Sequence, residues 1–153
     1  MALWFECKVR YDKMKENGSV KKVTEPYLVD ALSFTEAEAR ITEEIRPFMS
    51  GEFSIPAIKK TNFAEVFRDN ASDKWWLVKY NIITIDEKSG KERKSAVNVI
   101  VQADTHQGAT DNFNNGMKGT LADYEIGKVK ETNIMDVFDY SSANASQKPK
   151  NNG

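Results

Sequence analysis

The sequence repeats itself along its length. The segment Trp4–Lys8 aligns with Trp75–Lys79, and further matches recur at a spacing of about 71 to 72 positions. The matched positions are mostly turn glycines and apolar residues: Gly18 with Gly90, Lys22 with Lys94, Val29 with Val101, Ala31 with Ala103, Thr61–Asn62 with Thr132–Asn133, and Val66–Phe67 with Val137–Phe138. A self-match at a fixed period indicates one supersecondary unit used twice. These residues describe how the unit folds rather than a chemistry that it performs.

Only a short polar stretch, 68–74, separates the two halves. We therefore predict a first repeat over 1–70 and a second over 71–140, packed together as one compact body. The remaining residues, 141–153, contain nothing large and apolar, which is the composition of a disordered tail.

The first repeat predicts the order strand, strand, helix, strand. Apolar and polar residues alternate from Phe5 to Tyr11, and Asn17-Gly18 supplies a hairpin turn before a second alternating strand, in which Pro26 favours an edge position. Ser33 or Thr35 can cap a helix with Ala37, Ile41 and Ile45 on one face. A third extended segment runs from Phe53 and, after a kink near Thr61-Asn62, continues to Phe67.

The second repeat follows the same order. Its first strand, from Trp75 to Ile85, is apolar on both faces, so we expect it to be covered on both sides. Its helix, Thr105 to Met117, is rich in glycine and asparagine and needs tertiary packing through Ala109, Phe113 and Met117. The fold class is therefore α+β: a tandem duplication of a ββαβ unit, with antiparallel sheet, two helices packed on it and an approximate internal two-fold. The sequence does not decide whether the strands form one sheet or two.

Composition limits the classes of function. The chain has 22 basic and 23 acidic residues and a formal net charge of −1, so it has no overall attraction to polyanions or membranes. No stretch reaches the roughly 18 apolar residues of a membrane span, and the N-terminal residues lack the pattern of a signal peptide, so we expect a cytoplasmic protein. The single cysteine excludes an internal disulfide. A duplicated chain can satisfy its own pairing surface, which favours a monomer over a homodimer.

No pattern in the sequence indicates a catalytic, metal or cofactor site. His106 has no cysteine, second histidine or carboxylate at motif spacing, and Cys7 has no activating base. The segment Asp111–Gly116 partly resembles a calcium loop, but Phe113 and Ala122 stand where oxygen ligands are required. The glycines near Gly116 are better explained as the end of a helix than as a phosphate-binding loop. We therefore predict no enzyme activity and no cofactor.

Basic residues surround both hairpin turns. The two basic hairpin turns could bind a phosphate backbone, although lysine is also usual at exposed hairpins and strand edges. The residues available for nucleic-acid contact are Lys13, Lys15, Lys21, Lys22, Lys88, Lys91, Arg93 and Lys94. Trp4 and Trp75 could serve as stacking platforms if they face solvent, or could pack between the repeats.

Three segments carry a family resemblance: Trp4–Lys8, Tyr27–Ala31 with Thr35–Ala39, and Thr132–Phe138. They resemble an uncharacterised family of small proteins from gut anaerobes and their phages, and the resemblance covers the whole chain except the tail. It implies an intracellular or phage-encoded protein and carries over no activity, cofactor or catalytic residue.

Three hypotheses follow. The first is a non-enzymatic binding or accessory protein that acts through a protein partner and shows an exposed apolar patch or sheet edge. The second is a nucleic-acid-binding module that uses the paired basic hairpins. The third, a small enzyme with a pocket between the repeats, requires a cleft with convergent carboxylates or with His106.

Overall fold

The computed structural model describes residues 3–140 and is α+β, as predicted. The elements follow the chain as β1 (Leu3–Met14), β2 (Val20–Ala31), α1 (Phe34–Ile45), a 3-10 turn (Arg46–Phe48), β3 (Phe53–Lys60), β4 (Phe63–Phe67), β5 (Trp75–Ile85), β6 (Glu92–Gln102), α2 (His106–Gly116), β7 (Asp123–Glu131) and β8 (Val137–Phe138). The strands form two four-stranded sheets, ordered β3-β1-β2-β8 and β4-β6-β5-β7. The predicted tail, 141–153, lies outside the described residues.

The chain forms two compact units that do not coincide with the two halves of the sequence. The first unit consists of the described residues through Asn62 together with those from Asn133 onward, and the second unit is Phe63–Thr132. The second unit is thus inserted into the first along the chain, whereas the sequence pattern predicted a division near residue 70.

In the first unit a helix covers one face of a hairpin. β1 and β2 pair antiparallel over their full length, from Leu3 opposite Ala31 to Met14 opposite Val20. The alternating residues of β1 place Phe5, Cys7 and Val9 in one cluster with the buried face of α1. That face consists of Ala37, Ile41 and Ile45, as the helical spacing predicted.

The start of α1 is fixed by two reciprocal hydrogen bonds. The Ser33 hydroxyl accepts from the backbone N–H of Glu36 at 3.1 Å, and the Glu36 carboxylate accepts from the backbone N–H of Leu32 at 2.8 Å. This arrangement closely follows a capping box, which satisfies donors that a helix start leaves open. Ser33, rather than Thr35, is therefore the cap.

In the second unit, packing holds a helix of weak intrinsic propensity. Thr105 caps α2, and Ala109 and Phe113 are buried. The Phe113 ring contacts the rings of Phe67, Tyr80 and Tyr124 at centroid distances of 4.9–6.0 Å. Aromatic burial of this kind offsets the cost of the asparagines and glycines in α2.

The predicted third strand is two strands in two different sheets. β3 pairs with β1, but β4, which begins only three residues after β3 ends, pairs with β6 of the second unit. Conversely, β8 pairs with β2 of the first unit. The sequence predicted a continuous segment with a kink and purely antiparallel sheet, and both predictions were wrong. β4 and β8 reach their neighbours through long connections rather than hairpins, so each can pair parallel.

β4 and β8 are the first strands after the chain passes from one unit to the other, and we refer to them as the exchanged strands in this sense only. They enter their sheets in matching registers. Val66 and Phe67 lie opposite Ile100 and Val101, and Val137 and Phe138 lie opposite Leu28 and Val29. β2 is therefore an interior strand, contrary to the edge position expected from Pro26. Pro26 has no backbone N–H to donate, but this position tolerates the loss because β8 begins to pair with β2 only at Leu28. The Pro26 carbonyl still accepts from the backbone N–H of Met135 at 2.9 Å.

The same threonine contact precedes each exchanged strand. The carbonyl oxygen of Trp4 accepts from both the backbone N–H and the hydroxyl of Thr61, at 2.9 and 2.8 Å. The carbonyl oxygen of Trp75 accepts from the same two groups of Thr132 at the same distances. Each threonine thus fixes the chain to its own unit just before the chain enters the other.

Candidate functional site

The predicted nucleic-acid contacts all lie exposed on two hairpins, one in each unit. Four of the eight basic side chains are paired with acids: Lys13 with Glu25 at 3.7 Å, Lys22 with Asp12 at 3.3 Å, Arg93 with Asp86 at 3.6 Å, and Lys94 with Glu125 at 2.9 Å. The pairing with Glu125 raises the pKa of Lys94 and lowers that of Glu125. Within residues 3–140, the other four, Lys15, Lys21, Lys88 and Lys91, make no ion pair.

The two tryptophans considered as stacking platforms are buried. Trp4 is 8% exposed and Trp75 is 2% exposed. The Arg68 guanidinium lies 5.7 Å from the Trp75 ring centroid. Neither indole ring is available to stack on a base.

A groove opens beside the β1–β2 hairpin of the first unit. Its volume is about 630 Å³, and it lies between the end of β1 and the segment Phe48–Glu52. Three large apolar side chains along it face solvent: Met14 is 72% exposed, Val20 is 59% exposed and Phe48 is 77% exposed. An exposed apolar cluster of this kind typically marks a binding surface.

The groove follows a bare edge of β1. The ladder between β1 and β3 ends at Tyr11 opposite Phe53, whereas β1 continues to Met14. A neighbouring cavity of about 330 Å³ is lined by Met14 and Val23 together with Lys13, Lys15, Glu16 and Lys21. The groove, which is also lined by Asp12, Lys22 and Glu52, is therefore adjoined by a mainly basic surface.

A polar cluster in the first unit holds the chain beyond β8. The buried carboxylate of Asp30 accepts from the backbone N–H of Tyr140 at 2.6 Å and lies 3.6 Å from the Arg40 guanidinium. Arg40 also donates to the Asp30 carbonyl oxygen at 2.6 Å and stacks over the Tyr140 ring at 4.5 Å. The Tyr140 hydroxyl donates to Glu44, and burial together with that bond raises the pKa of Tyr140.

The second unit has the same arrangement with different residues. The Gln102 side-chain oxygen accepts from the backbone N–H of Asp69 at 2.9 Å, and the Asn112 amide donates to the Gln102 carbonyl oxygen at 2.9 Å. Bonds from Ser72 and Asn112 lower the pKa of Asp69. In both units a side chain near the end of a strand and a helix side chain hold the residue two positions beyond an exchanged strand. These clusters are therefore structural clasps, and the sequence did not reveal them because their residue types differ.

The residues considered as catalytic or metal-binding candidates, Cys7, His106 and Asp111–Gly116, are buried, packed against an aromatic ring or part of a helix. Cys7 is fully buried, and burial with the nearby charge of Glu6 raises its pKa to about 12, which disfavours the nucleophilic thiolate. The His106 ring packs edge-on to Trp76 at 5.9 Å. Asp111–Gly116 lies within α2, so it does not form the loop that a calcium site needs. Among residues 3–140, no cluster of three or more histidine, cysteine, aspartate or glutamate side chains could hold a metal ion.

The sequence missed the groove because its apolar residues come from separate segments. Met14 and Val20 are brought together by the β1–β2 register, and Phe48 follows α1. The only available signal was the placement of Met14 and Val20 in an otherwise polar hairpin turn.

Comparisons with known proteins identify a family without an assigned activity. Neither the curated proteins nor the solved structures contain a match to this chain. Within residues 3–140, neither helix has the length and apolar character needed to cross a membrane. A family model described as a domain of unknown function, DUF4494, matches residues 3–140. The chain therefore belongs to the DUF4494 family.

Proposed function

We propose that the chain is a non-enzymatic binding protein that acts through a protein partner, and that the partner docks on the groove of the first unit. The exposed apolar side chains of Met14, Val20 and Phe48 carry this proposal. Their exposure has an energetic cost in water that a docked partner would remove, at about 25 cal/mol for each Å² of apolar surface covered.

Site-specific photo-crosslinking tests the proposal. The crosslinking residue benzoylphenylalanine replaces Phe48 in one protein and Leu32 in a control, because Leu32 is 72% exposed in the same unit but does not line the groove. In extract from the cells that encode the chain, position 48 should give a discrete protein adduct and position 32 should not. Excess unlabelled protein should compete for the adduct, and excess Phe48→Ser protein should compete at least about tenfold less well. Equal labelling from both positions, or none from position 48, would contradict the proposal.

A nucleic-acid-binding module is the second candidate. It is favoured by the exposed lysines that make no ion pair within residues 3–140, namely Lys15, Lys21, Lys88 and Lys91. Labelled single- and double-stranded DNA and RNA should then bind at about 50 mM salt and lose affinity steeply by about 200 mM. Changing these four lysines to glutamate avoids disturbing the existing ion pairs and should abolish binding. Binding that does not change would exclude the hairpins as the contact surface.

The recurring contacts support a duplicated origin for the chain. We propose a tandem duplication of a ββαβ unit with an approximate internal two-fold, in which each copy gives its last strand to the other unit. The matching registers of β4 and β8 and the matching bonds of Thr61 and Thr132 support this origin. On the duplication, we further propose a monomer, and on the family resemblance an intracellular, cytoplasmic protein of gut anaerobes or their phages.

A further inference from the structure

We infer that the groove of the first unit binds an acidic, partly apolar peptide segment as an added β-strand along β1, in line with β3. This inference rests on the proposed function and specifies the partner's chemistry. It follows from three features of the described residues: the direction of the backbone groups at the end of β1, the apolar side chains beside it, and the charges around it.

The backbone of β1 presents hydrogen-bonding groups toward the groove. The backbone N–H of Lys15 donates to the Ser19 carbonyl at 2.7 Å, so Lys15 directs its polar groups toward the β2 side of the hairpin. Alternate residues of an antiparallel strand point these groups to opposite sides. Asp12 and Met14 therefore direct theirs away from β2, past the point where the ladder with β3 ends. An extended peptide can pair with these groups by strand addition.

The side chains beside this edge suit alternating apolar residues. Met14 lies directly opposite Val20, and both line the groove together with Phe48. Successive side chains of a bound strand point to opposite faces. Every second peptide residue can therefore pack on this apolar cluster while its neighbours point toward the charged rim.

The charges beside the groove favour an acidic peptide. Asp12 and Glu52 line the groove itself together with Lys13 and Lys22, so the basic excess comes from the adjoining cavity. Lys13, Lys15 and Lys21 line the adjoining cavity, where Glu16 is the only acid among the lining residues. Lys15 and Lys21 make no ion pair within residues 3–140, and Lys13 has only a long pair with Glu25 at 3.7 Å. Carboxylates on the peptide would complete these pairs and set its orientation.

The test uses fluorescein-labelled synthetic peptides of about eight residues, the length of an ordinary strand. One peptide alternates glutamate with valine and leucine, and its control carries lysine in place of glutamate. We expect the glutamate peptide to bind at least about tenfold more tightly than the lysine peptide at about 50 mM salt. Phe48→Ser and the combined change Lys13→Gln, Lys15→Gln and Lys21→Gln should each weaken binding about tenfold. The matched controls, Leu32→Ser and the combined change Lys8→Gln, Lys59→Gln and Lys60→Gln at exposed positions that do not line the groove or the cavity, should leave it unchanged.

Backbone methylation separates strand addition from other binding modes. Two versions of the glutamate peptide carry N-methyl groups on alternate residues, one on the odd set and one on the even set. One version should lose affinity about tenfold and the other should not, because only one edge of the added strand pairs with β1.

The remaining outcomes overturn the inference. Equal binding of the two methylated peptides excludes strand addition, and equal binding of the glutamate and lysine peptides excludes an acidic ligand. If no peptide binds but Phe48 still crosslinks to a protein, the inference fails and the proposed function stands. If the crosslink is also absent, both fail.

Discussion

The backbone N–H of Tyr140 donates a 2.6 Å hydrogen bond to the buried carboxylate of Asp30, which lies 110 positions earlier in the chain. This bond ties a residue two positions beyond β8 to the end of β2, next to its final residue Ala31. The Arg40 guanidinium lies against both residues. The first unit is therefore closed by polar contacts as well as by the two-residue pairing of β8.

Replacing Asp30 should weaken the first unit. We expect Asp30→Ala to lower the free energy of unfolding by about 2–4 kcal/mol, because it removes a buried acceptor and leaves the partners of Asp30 without it. Asp30→Asn should lower the free energy of unfolding by less, because an amide oxygen can still accept from the backbone N–H of Tyr140, as the Gln102 side chain accepts from that of Asp69. Urea denaturation measures both. Asp12→Ala removes only an exposed ion pair and should have little effect. Equal losses for Asp30→Ala and Asp12→Ala would refute the role of the clasp.

The threonine contacts should have matching energies in the two units. Thr61→Val and Thr132→Val each remove the hydroxyl that donates to a tryptophan carbonyl while preserving side-chain shape. Each change should lower the free energy of unfolding, measured by urea denaturation, by about 0.5–1.5 kcal/mol. Thr24→Val is the control, because that hydroxyl accepts only an exposed bond from Arg10. A large loss from Thr61→Val and none from Thr132→Val would argue against equivalent roles.

Cys7 should react only when the first unit unfolds. Its thiol is fully buried and its pKa is raised to about 12, so at pH 8 the native protein holds almost no thiolate that a reagent could reach. Alkylation of Cys7, followed by mass spectrometry, should increase in parallel with unfolding as urea is added. In a Met14→Cys protein the new thiol, at a position 72% exposed, should react quickly without urea. Rapid labelling of Cys7 in the native protein would contradict its burial.

Stability should fall at strongly alkaline pH. Burial and the hydrogen bond to Glu25 raise the pKa of Tyr11 from 10.0 to about 12, and burial also raises the pKa of Tyr140. A folded-state pKa above the unfolded value favours the neutral phenol in the folded protein. This contribution is therefore complete below pH 10 and is lost as pH rises from about 10 to 12. Unfolding temperatures measured across this range should fall, and the fall should be smaller in Tyr11→Phe. An identical decline in that variant would exclude Tyr11 as a contributor.

Local patterns predicted the elements well. Alternation located β1, the Gly18 turn located the hairpin, and helical spacing identified Ala37, Ile41 and Ile45 as the buried face of α1. These features depend on neighbours within a few residues, so one sequence is sufficient to predict them.

Strand exchange could not be predicted in the same way. The self-match makes Val66–Phe67 and Val137–Phe138 equivalent, but equivalence does not say which sheet each pair joins. The sequence did not predict the polar clasps for another reason, which is that the two units build them from different residue types. The first unit uses Asp30, Arg40 and Tyr140 where the second uses Gln102, Asn112 and Asp69. A repeat search detects shared residue types and overlooks shared geometry made with different side chains.

The insertion of one unit within the other sets the order in which the protein can be completed during synthesis. Every residue of the second unit has been made once Thr132 is joined to the chain, whereas the first unit, begun earlier, still lacks β8. Domains usually fold from the N-terminus as the ribosome releases them. Here the later-encoded sheet can close first, and the nascent first unit keeps an open edge on β2 until the last strand emerges.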